Sequence, residues 1–257
     1  MSKTTTLLAA CAALAMASAA HAAPVLSGAG GELGANGVVT ESPEGGNYRY
    51  ITTDGGLSGV GGLPGIGGTT GSTYVTDSFS AAAGEVLDFH FNYITSDGSG
   101  YADYAWVALR PGAGADIILF TARTTPSGDT VPGFDLPGID PGVDLVPDAT
   151  PIIPGGPAWA GLGGNSGSCY AAGCGYTGWI QSLYTIQDAG TYSLVFGVTN
   201  WGDSLFDSGL AWDGVKIGDV IIDDPDGPPS EVPEPAALAL LGLGILGLGA
   251  ARRRRKA

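Results

Sequence analysis

Glycine (45 residues) and proline (17 residues) are so dense among the 257 residues that no long uninterrupted helix fits into most of the chain. Turn-rich β structure is what remains. The length suits one large all-β domain or two smaller ones, with room for a sizeable core.

Charge placement narrows the function classes. Lys3 lies near one end and Arg252, Arg253, Arg254, Arg255 and Lys256 near the other, leaving only Arg49, Arg110, Arg123 and Lys216 between them. All 25 acids fall between Glu32 and Glu234. So acidic a body excludes nucleic acid as its partner, because phosphate binding needs a basic face.

Residues 1–22 read as a secretory signal peptide: Lys3, an apolar stretch over 7–17, and the small-residue site Ala20-His21-Ala22, with cleavage before Ala23. The Sec export machinery is the implied partner. Leu8-Ala9-Ala10-Cys11 also matches the box before a lipidated cysteine, but cutting there leaves too short an apolar segment. Removing the signal leaves Cys169 and Cys174 as the only cysteines and His90 as the only histidine.

At the other end an acidic, Pro-rich linker over 223–231 precedes Val232-Pro233-Glu234-Pro235, then an uncharged run over 236–251, then the basic cluster. Sixteen helical residues span ~24 Å, somewhat short of a ~30 Å hydrocarbon core, and snorkelling Arg and Lys close the gap. A transmembrane helix is therefore expected over 236–251. Its basic cluster stays cytoplasmic, with the body in the periplasm. An ordinary membrane anchor is the plain alternative. The tripartite order over 232–257 resembles the PEP-CTERM sorting signal of Gram-negative bacteria. That resemblance implies recognition by the membrane protease exosortase, transient anchoring at the inner membrane, and release or transfer to the cell surface. It also implies association with exopolysaccharide and biofilm matrices.

Residues 23–222 read as the body. Over 86–94, Leu87, Phe89, Phe91 and Tyr93 alternate with Asp88, His90 and Asn92, the pattern of a half-buried strand. Strands are also expected over 74–79, 105–109, 117–122, 179–186, 191–199 and 210–217, with Asp188-Ala189-Gly190 as a hairpin turn. The expected fold class is all-β, a two-sheet antiparallel sandwich of jelly-roll type. Two Gly/Pro-rich segments, 28–71 and 126–168, are expected to be long loops. The second repeats Pro-Gly at Pro132, Pro137 and Pro141, a string of turns each packing one apolar residue. Three stretches, 92–106, 168–179 and 200–214, resemble a group of PEP-CTERM exported proteins, a likeness that implies location and fold but no reaction.

The inventory of reactive groups goes against an enzyme. His90 stands on the polar face of a strand with no nucleophile motif beside it, and zinc hydrolysis needs more than one histidine. A glycoside hydrolase needs only two carboxylates, but these acids are mostly turn aspartates without an apolar setting to raise a proton donor. A carbohydrate-binding module is the next reading. Trp106 and Trp212 sit in strand patterns, so Trp159 and Trp201, flanked by Gly, Pro and Asn, are the candidate glycan contacts. The reading that explains most is a structural surface or matrix protein. Two further expectations follow. Cys169 and Cys174 form a disulfide in an oxidising compartment. Calcium binds at Asn200, Asp203, Asp207 and Asp213, with Asp97 and Asp103 contributing, because clustered carboxylates without a cation repel one another.

Overall fold

The computed structural model describes residues 23–125 and 128–226, all within one compact unit, His21–Ser230. The expected signal peptide over 1–22 and sorting tail over 232–257 lie outside the described residues. Among the described residues, no helix is long and apolar enough to cross a membrane.

Eighteen strands follow in chain order among the described residues. They are β1 (Val25–Ser27), β2 (Ala29–Leu33), β3 (Tyr48–Thr52), β4 (Leu57–Ser58), β5 (Thr70–Val75) and β6 (Phe79–Ala81). Next come β7 (Val86–Thr95), β8 (Tyr104–Pro111), β9 (Ile117–Arg123), β10 (Asp129–Val131), β11 (Val143–Val146) and β12 (Thr150–Pro151). The last are β13 (Ile153–Pro154), β14 (Gly175–Tyr176), β15 (Ile180–Thr185), β16 (Gly190–Thr199), β17 (Ser208–Ile217) and β18 (Val220–Asp223). One large sheet runs β1-β5-β16-β8-β9 and the other β11-β15-β7-β17-β3-β2, with β4, β6, β13, β14 and β18 paired along them, while β10 and β12 form a separate two-stranded sheet. Every pairing is antiparallel, so the fold is the expected all-β sandwich.

The alternation along β7 does what its period dictates. Leu87, Phe89, Phe91 and Tyr93 are buried between the sheets, where Phe91 stacks on Phe120 at 3.6 Å and Phe196 stacks on Trp212 at 4.1 Å. Each such side chain contributes roughly 1.5–3 kcal/mol of burial. Trp106 and Trp212 are core residues as read. A second apolar cluster forms on the outer face of the β7-β17-β3 sheet, built from Val39, Tyr48, Ile94, Trp159, Leu162 and Ala211.

Four expectations need correction. The segment 28–71 is not one long loop: β2 and β3 extend the second sheet, and β4 and β5 belong to the first. Segment 126–168 likewise carries β10 to β13. Asp188-Ala189-Gly190 is not a hairpin turn, because β15 pairs with β7 and β11 while β16 pairs with β5, β6 and β8; the chain there crosses between sheets. Of the Pro-Gly turns, those at Pro137 and Pro141 pack Ile139 and Val143 against the core, whereas Phe134 is exposed.

The body's fixed contacts also continue past residue 222. Asp223 closes β18 and accepts from Arg49 Nε at 2.5 Å and Trp212 Nε1 at 3.0 Å, and Asn47 donates to Asp226 through its backbone and side-chain amides.

Candidate functional site

Register brings three loops to one end of the sandwich. Thr95, the last residue of β7, lies opposite both Ser208 and Gly175, and Tyr104, the first of β8, lies opposite Thr199. The loops after β7, before β14 and after β16 are therefore neighbours. They are the same three stretches that stand out in the sequence.

Backbone hydrogen bonds tie them together. Ser96 N–H donates to Asp207 O at 3.1 Å, Tyr170 N–H to Ser96 O at 2.9 Å, and Ser99 N–H to Ala172 O at 2.9 Å. Gly98 faces Ala171 so closely that a Cβ would stand 2.5 Å from the alanine methyl, which makes glycine obligatory. Cys169 and Cys174 form the expected disulfide, with Cα atoms 5.6 Å apart.

Asp103 is the buried pin of this end. Its Oδ1 accepts from Trp201 N–H at 2.8 Å and its Oδ2 from Ser208 Oγ at 2.6 Å. Burial pushes its carboxyl well above the usual carboxylate range, and Asp97 and Asp203 push the same way. Asp97 accepts from Gly98 N–H at 2.6 Å and is raised to about 6, chiefly by burial. Its Oδ2 and the Asn200 Oδ1 are buried acceptors with no donor among the described residues.

The expected calcium ligands do not converge. Asp97, Asp103 and Asp203 share one neighbourhood, but Asp207 turns to accept from Thr53 Oγ1 at 3.0 Å. Asp213 lies opposite His90, five residues along β17 from Ser208, on the order of 17 Å away at strand rise. There burial raises its carboxyl to about 6 against the pull of Ser42 and the Gly214 N–H. Among the described residues, no three His, Cys, Asp or Glu side chains are placed to hold one metal ion.

The expected glycan contacts also divide. Trp159 is not exposed: it is 1 % accessible and donates from Nε1 to Tyr48 Oη at 2.9 Å. Gly161 and Gly209 make room for its indole, where a Cβ would come within 2.3 and 2.4 Å of the ring. Trp201 is half-buried, with the Arg123 guanidinium 4.8 Å from its ring centre. His90 lies beneath Glu44, its Nδ1 3.8 Å from Oε1, and burial holds its imidazole below the usual range.

The residues that sequence reasoning missed are aromatic. Tyr101 and Tyr170 are 38 % and 48 % exposed and meet edge to face at 5.5 Å; Phe206 follows at 5.0 Å from Tyr170. Phe206 has φ +56, the left-handed region that a non-glycine residue enters at a cost of roughly 1–3 kcal/mol. Nearby, Leu205 is 62 % exposed. The only signal for this cluster was aromatics set among Gly, Ser and Asp in three separate loops.

A cavity of about 230 Å³ lies at the sheet margin among Leu26, Glu32, Arg49, Tyr74 and Trp212. Its one cation is already paired with Asp223 and Glu32, so its charges are spent internally.

No curated protein and no solved structure matches the chain. Residues 231–255 match the PEP-CTERM protein-sorting motif, over the positions read above as the tripartite tail. The chain is thus an exported protein that carries a PEP-CTERM motif, is sorted by exosortase after transient anchoring through that segment, and is destined for the cell surface.

Proposed function

We propose that the body is a non-catalytic component of the extracellular matrix, delivered by removal of its sorting tail and held among exopolysaccharide. The observation that carries this reading is the sorting motif at 231–255 in a chain whose described residues form an all-β body. The acids support it too. Asp103 and Asp223, whose burial would suit them to proton transfer, are engaged by Ser208, Trp201, Arg49 and Trp212 and act as structural pins. His90 Nδ1 stands 3.8 Å from Glu44 Oε1 and has no hydrogen-bond partner among the described residues.

The test replaces Pro233, Glu234 and Pro235 with alanine in the producing cell. Wild-type protein should reach the surface with an intact mass lacking Arg252 to Lys256, and the variant should stay in the membrane fraction at full length. A surface-released product still carrying the basic cluster would refute tail processing.

A further inference from the structure

We infer that Tyr101, Tyr170 and Phe206 form a binding platform for a polysaccharide bearing free amino groups. This deepens the matrix reading and rests on it.

Three observations carry the inference. Tyr101 and Tyr170 are exposed and Phe206 half-buried against them, yet all three are fixed. Tyr170 sits inside the disulfide loop and is bonded through its backbone to Ser96, and Ser96 in turn is bonded to Asp207, the neighbour of Phe206. Side-chain and loop ordering, a large part of what binding costs, is therefore met before a ligand arrives. The unfavourable φ of Phe206 is the second observation. Asp207, beside it, is held by Thr53, Asn165 and Ser96, and this over-determination keeps the ring of Phe206 against Tyr170. Strain maintained in this way clusters at binding sites.

Charge is the third observation, and it selects the ligand. Asp203 is half-exposed and follows Gly202, where a Cβ would stand 3.2 Å from the Tyr101 ring; Asp97, 1 % exposed, adds its charge from within the fold. Together with the Tyr101 phenol, the foremost influence, they hold the Tyr170 phenol above its ordinary value. The nearby cation, Arg123, is committed: it donates to Ala102 O and Phe134 O and lies over the Trp201 and Tyr104 rings. A carboxylate- or sulfate-bearing polymer would find only repulsion here. An ammonium group is attracted to both an aromatic face and a carboxylate, while the C–H face of its sugar ring packs on the neighbouring aromatic. A protein partner is disfavoured by size. The exposed apolar residues here are Tyr101, Tyr170 and Leu205, set among Gly, Ser and Asp, a smaller and more polar patch than the ~20–30 residues per side of a stable protein interface.

The experiment uses the surface-released protein on immobilised glucosamine oligomer, its N-acetylated counterpart and an oligouronate. Retention is expected on the free-amine oligomer alone. Tyr170→Ala, which leaves net charge unchanged, should weaken it at least about fivefold, as should Asp203→Asn, which keeps the Oδ1 that accepts from Leu205 N–H. Tyr170→Phe should retain it. Asp188→Asn removes an equal charge from an exposed position at the sheet crossing and should change nothing. Melting curves of each variant separate lost binding from lost folding. Equal weakening by Asp188→Asn would expose mere charge adsorption and overturn the proposal. So would equal retention of the N-acetylated oligomer, full retention by Tyr170→Ala, or no retention at all. Tail processing is scored in the same cells, so loss of oligomer binding with normal sorting refutes the platform and leaves the matrix reading standing.

Discussion

Acidification from pH 7.5 to 5 should stabilise this protein, against the usual behaviour of carboxylates in salt bridges. Asp97 and Asp213 are each 1 % exposed, and burial lifts both carboxyls from 3.8 to about 6. Facing Asp97 is the Asp203 carboxylate; facing Asp213 are Asp224 and Glu44, so like charge adds to desolvation at both sites. The folded chain takes up these two protons near pH 6 and the unfolded chain only near 3.8. Between those values the folded state binds more protons, and stability therefore falls as pH rises through the window. At pH 5 a group with this displacement contributes ~1.4 kcal/mol relative to pH 7.5, and two contribute ~3 kcal/mol. Asp103, Asp207 and Asp223 are displaced in the same direction. His90, depressed by burial, opposes them with a single group.

At roughly 2–4 °C per kcal/mol for a domain of this size, a rise in Tm of about 5–10 °C is expected, less the histidine contribution. Differential scanning calorimetry at matched ionic strength with chelator present measures it. Asp97→Asn and Asp213→Asn should each remove about half of the two-group gain, because an amide does not titrate. A Tm that falls steadily from pH 7.5 to 5, or double-variant protein with an undiminished gain, would refute the argument that burial of these carboxyls outweighs the hydrogen bonds they receive.

Two further outcomes bear on particular elements. Replacing both Cys169 and Cys174 with serine should cost about 2 kcal/mol in denaturant unfolding, the chain-entropy value for so short a loop, and should also weaken oligomer retention by loosening Tyr170. Trp159→Ala should destabilise by ~3–5 kcal/mol as a core truncation; an unchanged unfolding midpoint would return Trp159 to the surface.

The parts of this fold legible in the sequence are those where one strand face is apolar by itself. Leu87, Phe89, Phe91 and Tyr93 announce β7 because period two needs no partner to be seen. β3 is hidden because Tyr48, Arg49, Tyr50 and Thr52 set polar or amphipathic side chains on both faces, leaving Ile51 as its one purely apolar residue. Both faces are nonetheless used: Ile51 enters the inter-sheet core and Tyr48 the outer cluster. Neighbouring glycines had a meaning that composition could not supply. Gly30 permits close strand approach, since a Cβ there would stand 2.4 Å from Tyr50 O; Gly161 and Gly209 are space for an indole. Glycine beside Trp159 suggested an exposed loop and in fact signals tight packing.

The same distinction governs the acidic end of the sandwich. Density of aspartates in sequence cannot separate a carboxylate facing a ligand from one consumed within the fold, because both occur in turns. Hydrogen bonds separate them. Asp103 spends both oxygens on Ser208 and Trp201 and holds two loops in register, whereas Asp203 uses Oδ1 within its own turn and stands beside the exposed rings. The acids that sequence density groups around the 200–213 loop divide by role in the fold: Asp103 and Asp207 bind loops together, Asp213 belongs to a different stretch of sheet, and Asp203 remains beside a surface that only the convergence of three loops creates. That convergence is set by the register of β7, β14 and β17, a long-range property absent from every local pattern along the chain.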